Sequence, residues 1–208
     1  MTETFDLSFN FKGARDYVQG PDMVETAMQA LTRHFSAPLS QIDFQMHRMT
    51  GSNLRLVITD CPPAAAPTEA VASVTFITPD NHYWYGYLHE TGVAPTEHVP
   101  YDESALFEAC EFTLSEHHTR VDLASAQGCT PLEAIVSMTK AMHLRAFPQT
   151  TGKWVFCRWS SPDWQEQPNM GAIRVELTRA MGARLTRSSV TVADVPFGTV
   201  YFSARSTS

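Results

Sequence analysis

The stretch FTLSEHHTRVDLASAQG (Phe112–Gly128) repeats the pattern of FDLSFNFKGARDYVQG (Phe5–Gly20). Both begin F-x-L-S and end Q-G, but His117 and His118 stand where the first copy has Asn10 and Phe11. The likeness extends beyond each glycine. PDMVETAMQALTRHF follows Gly20 and CTPLEAIVSMTKAMHLRAF follows Gly128, with Glu25 and Glu133 each falling five residues after the glycine. Val24, Met28, Leu31 and Phe35 recur at helical spacing in the first, and Ile135, Met138 and Met142 in the second. Asp22 and Thr130 are candidate N-caps, and Pro131 suits a first helical position.

After each helix come extended runs in matching order. IDFQMHR (Ile42–Arg48) answers KWVFCRW (Lys153–Trp159), and LRLVIT (Leu54–Thr59) answers IRVELT (Ile173–Thr178). ASVTF (Ala72–Phe76) answers SSVTV (Ser188–Val192), and HYWYGYL (His82–Leu88) answers GTVYFSA (Gly198–Ala204). These runs are β-branched and aromatic and are bounded by Pro, Gly and Asp. The reading is two tandem repeats, residues 1–90 and 112–208, joined by a linker over 91–111 with a short helix from about Glu103. Each repeat is strand, long helix and four strands. An apolar helix needs more cover than a few separate strands provide, so the expectation is an α+β fold in which a curved antiparallel sheet wraps the helix. Two such units would pair at their open strand edges.

Composition sets further bounds. The chain has 208 residues, 43% hydrophobic, enough for a sizeable core and unlike a disordered segment. No apolar run approaches a membrane span, and the first ten residues carry no basic leader with an apolar core, so a cytoplasmic protein is expected. Four widely spaced cysteines without a C-x-x-C read as reduced thiols. Charge is uneven: residues 1–139 hold 6 Lys/Arg against 18 Asp/Glu, and residues 140–208 hold 9 against 4. The basic share is read either as a solvated strand face or as a docking surface for an acidic partner or a phosphate. Nucleic acid is disfavoured in a chain of net charge −7 with no nucleic-acid motif. Walker, dinucleotide, nucleophile-elbow, zinc-protease and EF-hand signatures are missing, so nucleotide, flavin and metal chemistry have no support.

A long helix gripped by a curved sheet and used in pairs resembles the hotdog fold, and two copies in one chain resemble its double-hotdog form. Within that fold, GPDMVETAMQ resembles the β-hydroxyacyl-(acyl carrier protein) dehydratases, where a glycine at the helix entrance is followed by an acid five positions on and a glutamine four beyond. Gly20, Glu25 and Gln29 fit that spacing. The family also has a histidine about nine residues before the glycine, and His118 precedes Gly128 by ten. The family's G-H-F-P and M-P-G runs are missing, and Ser137 stands where the second helix would carry glutamine.

The resemblance implies dehydration of a β-hydroxyacyl thioester held on coenzyme A or an acyl carrier protein, with no cofactor and no metal. In such dehydratases the histidine and the acid of one site come from opposite partners. That implies a live site of His118 and Glu25, with Gly20 and Gln29 binding substrate, and a lapsed site of Glu133 facing Asn10 or Phe11. His118 would be the base, since imidazole titrates near neutrality. A dry surrounding that favours its neutral form would fit Glu25 as the acid. Helix N–H groups at Gly20 would meet the thioester carbonyl. The expected assembly is a pseudo-dimer within one chain, with a homodimer left open, and with no nucleic-acid or membrane partner.

Plainer readings stand beside these. Asp22-x-x-Glu25 and Thr130-x-x-Glu133 both have capping-box spacing. Either His117 or His118 could face inward, and His118 could be an ordinary polar strand residue. A thioesterase of the same fold, with Glu25 alone activating water or attacking the thioester, and a non-catalytic acyl-binding or assembly protein are the competing functions.

Overall fold

The structure, a computed structural model, describes residues 2–62, 68–115, 118–125, 128–164, 171–182 and 184–205. The chain divides into two units. The first is Met1–Tyr101 with a short segment beginning at Ser160, and the second holds the rest from Asp102.

The first unit contains β1 (Thr2–Leu7), β2 (Phe11–Lys12), α1 (Gly20–Phe35), β3 (Ser40–Met46), β4 (Leu54–Thr59), β5 (Ala72–Ile77), β6 (Tyr83–Glu90) and β7 (His98–Val99). Its main sheet runs β1-β4-β6-β5-β3, each strand antiparallel to its neighbour. Alternation decides which face is buried. Leu54, Leu56 and Ile58 of β4 face inward with Val74 and Phe76 of β5, while Arg55 and Val57 face out. Met23, Val24, Ala27, Met28 and Leu31 give α1 a fully buried stripe, and Phe35 at its end packs on Phe76 and Trp84. Gly86 of β6 lies in this apolar layer, where a Cβ would come within 2.7 Å of Val74 Cγ1 and 3.1 Å of Leu56 Cδ1. After β6 the chain folds back on the same unit. Thr91 N–H donates to the Asn53 carbonyl, and β7 pairs in parallel with β2.

The second unit contains α2 (Ser104–Glu108), β8 (Cys110–Leu114), β9 (Thr119–Leu123), α3 (Pro131–Ala146), β10 (Lys153–Asp163, which passes into the first unit at Ser160), β11 (Ile173–Met181), β12 (Leu185–Val192) and β13 (Val195–Arg205). Its strands are ordered β10-β13-β12-β11-β9-β8. Val121, Leu123, Ile173, Val175, Val190, Val200 and Phe202 face the core, with Ile135, Met138 and Met142 of α3. This interior also takes in polar groups: Glu133, Ser137, Thr139 and His143 of α3 and Thr186 and Ser188 of β12 are buried. Among the described residues no helix is long and apolar enough to cross a membrane.

Candidate functional site

Helix α1 carries three of the four residues singled out in the sequence. Its N-cap is Gln19, in extended conformation and without a side-chain capping bond, so Gly20 is the first helical residue. Asp22, expected as the cap, lies inside the first turn, and its carboxylate takes the Lys12 ammonium at 2.6 Å. The physical reason is the Gly20-Pro21 pair. Proline has no N–H for a cap to satisfy and its φ already suits a helix, so the helix starts earlier than Asp22 alone suggests.

That earlier start separates the two aligned glutamates. Glu133 is the third residue of α3, and its carboxylate accepts from Thr130 N–H while Thr130 Oγ1 accepts from Glu133 N–H, closing a capping box. Glu25 is the sixth residue of α1, out of reach of any capping role. The same spacing from a glycine therefore serves a helix end in one copy and a mid-helix position in the other. Glu25 is half-buried, and Gln29, one turn on, is exposed. Beside the helix entrance, Arg15 lies over the Tyr101 ring at 4.6 Å and His98 Nδ1 meets the Gly13 carbonyl. Phe11 is buried in this corner and Asn10 is exposed.

His118 belongs to the second unit and closes the turn between β8 and β9. Its N–H donates to Ser115 Oγ, and its carbonyl accepts from Ser115 N–H. Its ring Nδ1 lies 3.2 Å from Glu176 Oε1, with both side chains about 40% exposed (40% and 43%). Glu176 lies on the strand face opposite buried Ile173 and Val175, so the pair sits with Arg120, Asp122 and Arg174 on the outer face of that sheet. A carboxylate on Nδ1 fixes the proton there and leaves Nε2 as the basic nitrogen, an arrangement that suits proton abstraction. His117 lies outside the described residues.

Two polar clusters escaped the sequence reading. His143, fully buried, meets Thr186 Oγ1 through Nε2 at 2.7 Å and stacks on Trp154 at 4.5 Å. Burial pushes its pKa down to about 4, against a smaller opposing pull from the Thr139 backbone. Glu103, just before α2, accepts from Ser137 Oγ at 3.0 Å and from Lys140 Nζ at 3.1 Å, pinning the start of the second unit to α3. The i, i+3 spacing of Ser137 and Lys140 was the available signal, but their partner lies far off in the chain. Among the described residues no group of three His, Cys, Asp or Glu is placed to hold a metal ion.

No protein-family model matches the sequence, and no curated protein matches it. Solved structures do. The dehydratase domain of PpsC from Mycobacterium tuberculosis, in complex with C12:1-CoA, is 13% identical, with 98% of this chain and 93% of that chain covered and a TM-score of 0.54. An erythromycin dehydratase is 17% identical over 98% of this chain and 90% of its own, with a TM-score of 0.50. A tesB protein of Mycobacterium avium subs paratuberculosis is 12% identical over 96% and 91%, also at 0.50. At such identities the likeness is one of fold, and the fold of this chain is the hotdog fold, similar to that of the dehydratase domains.

Proposed function

We propose that this chain processes acyl thioesters carried on coenzyme A or an acyl carrier protein, and that its reaction is dehydration of a β-hydroxyacyl thioester. The observation that carries the reading is a hotdog fold matched along nearly the whole chain to a dehydratase domain solved with an acyl-CoA. In this reading the chain is a double hotdog, with repeats at 1–90 and 112–208, a linker between them, and a pseudo-dimer complete in one polypeptide. His118 Nε2 takes the α-proton, the bond from the β-carbon to its hydroxyl breaks, and Glu25 supplies the proton with which that hydroxyl leaves as water. The Glu176 carboxylate on Nδ1 supports His118 as base, and the mid-helix place of Glu25 supports a role other than capping. Gly20 offers first-turn N–H groups to the thioester oxygen, and Gln29 a side-chain amide to the polar arm of the carrier.

Two other readings have their own support. The likeness to a tesB protein favours a thioesterase, in which Glu25 acts without His118. The exposure of Gln29 and the open setting of His118 favour an acyl-binding protein without chemistry.

Incubation with β-hydroxyacyl-CoA and saturated acyl-CoA, read by mass spectrometry, separates the three. Loss of water from the first is expected, with His118→Ala and Glu25→Gln each slowing it at least about 100-fold and Glu133→Gln leaving it intact. Free coenzyme A from the saturated substrate, insensitive to His118→Ala, means thioesterase. Binding without turnover means the third reading.

A further inference from the structure

Helices α1 and α3 answer each other in the repeat, yet one stripe along them is open in the first copy and closed in the second. Counted from Gly20 and Gly128, Glu25, Gln29 and Arg33 match Glu133, Ser137 and Ala141, each set stepping one turn at a time. On α1, Glu25 is half-buried while Gln29 and Arg33 are exposed. On α3, Glu133, Ser137 and Ala141 are only 7%, 2% and 6% exposed. The side chains shrink where the stripe closes, from glutamine to serine and from arginine to alanine. Against the closed stripe lies the start of α2. One carboxylate oxygen of Glu103 accepts from Ser137 Oγ at 3.0 Å and the other from Lys140 Nζ at 3.1 Å. In the open copy Thr32 stands in the place of Lys140, and its hydroxyl donates to the Met28 carbonyl of its own helix.

The hydroxyl of Ser137 and the ammonium of Lys140, three residues apart on one face, both donate outward, and together they make a seat for an anion with two oxygens. A carboxylate fills it here, and a phosphate presents the same pair of acceptors. Glu133, one turn before Ser137, is held by the capping box at Thr130 N–H. The occupant is lightly fastened. Helix α2 has five residues, far too few to hold itself, and none of its side chains is buried. Its N-cap is Glu103, whose side chain makes no capping bond. The Lys140 side chain is 37% exposed, so an anion from solvent reaches the seat once Glu103 withdraws. We infer that Ser137 and Lys140 form a second ligand seat, for the phosphate-bearing arm of an acyl carrier, and that Glu103 with α2 is an internal strap that keeps it closed.

The choice of ligand rests on the reading of the α1 stripe as the track for that arm. Calorimetric titration with a saturated acyl-CoA should therefore find one site in the wild-type chain and two in Glu103→Ala. Glu103→Gln keeps the size of the side chain and removes its charge, so it should also bind two and guards against a folding defect. Adding Lys140→Met to Glu103→Ala loosens the strap equally but spoils the seat, and should weaken the second site at least about 10-fold. Inorganic phosphate should compete for the second site, and an acyl-pantetheine without phosphates should not fill it. Hydrogen exchange reads the strap without any ligand. The Phe107 and Ala109 amides, bonded within α2 to the Glu103 and Ala105 carbonyls, should exchange at least about 10-fold faster in Glu103→Ala. Two sites in wild type, or no added site in both Glu103 variants, overturns the inference. So does a second site that survives Lys140→Met, or unchanged exchange in α2. One site in Glu103→Ala with none in wild type supports the seat on α3 and counts against the proposed reaction at Glu25.

Discussion

Two residues deep in the units carry unusual constraint, and each yields a direct test. His143 is buried among the rings of Trp154, Phe147 and Phe202 and meets Thr186 Oγ1, so a charge on its ring would be poorly solvated. Its folded-state pKa of about 4 lies below the ordinary 6.5. Between those values the unfolded chain binds the proton and the folded chain refuses it, so stability falls as pH falls. The contribution is complete above about pH 6.5 and lost by about pH 4, and on the order of 3 kcal/mol is involved. Urea unfolding at stepped pH should show that decline, and His143→Phe should flatten it. Gly86 constrains by volume. The Val74 and Leu56 side chains occupy the space a methyl group would need, so Gly86→Ala should cost roughly 1–3 kcal/mol in the same assay. A glycine inside a strand run is a general mark of close approach by a neighbour. His143 gave none, since a histidine in the last turn of a helix also reads as a solvent-facing cap of the dipole.

The elements themselves were largely legible because alternation and turn residues are local signals. The extended run IDFQMHR lies in β3 as far as Met46, with His47 and Arg48 beyond the strand's end, IRVELT lies in β11, and the apolar stripe of α1 is the one its spacing indicates. The start of α1 was misread because Asp22 is as good a cap by composition as Thr130. The deciding partners were a proline whose geometry favours an earlier start and a lysine ten residues upstream. The setting of His118 was illegible for a related reason, as Glu176 reaches it only through the pairing of β9 with β11. The two helix starts now make opposite predictions. Thr130→Ala removes the hydroxyl that accepts from Glu133 N–H, one of the two bonds of the capping box, and should cost about 1 kcal/mol, seen as a lower thermal midpoint. Gln19→Ala removes no capping bond and should leave the midpoint unchanged.

At the scale of the whole molecule, the two units bury different kinds of interior. The inward stripe of α1 is apolar along its length, whereas α3 buries Glu133, Ser137, Thr139 and His143 and faces Thr186 and Ser188. Neutral polar groups removed from water return about 1 kcal/mol each when bonded, and large apolar side chains return more. His143 belongs to the second unit, so acidification subtracts about 3 kcal/mol there, whereas the first-unit groups held below their usual pKa, His47 by partial burial and Asp6, Asp80 and Glu90 by hydrogen bonds, are much less buried than His143. Units that differ by that much need not unfold together, because cooperativity between domains has to exceed the gap to hold a single transition. Near pH 4.5, urea should therefore release the second unit first. Native-state hydrogen exchange would read this as loss of amide protection in β11, β12 and β13 at urea concentrations where β4, β5 and β6 remain protected. Near pH 7.5 the gap should narrow, and His143→Phe at pH 4.5 should narrow it likewise. Simultaneous loss of protection in both sheets at pH 4.5 would mean that coupling between the units outweighs the histidine, and that acid resistance is a property of the whole chain.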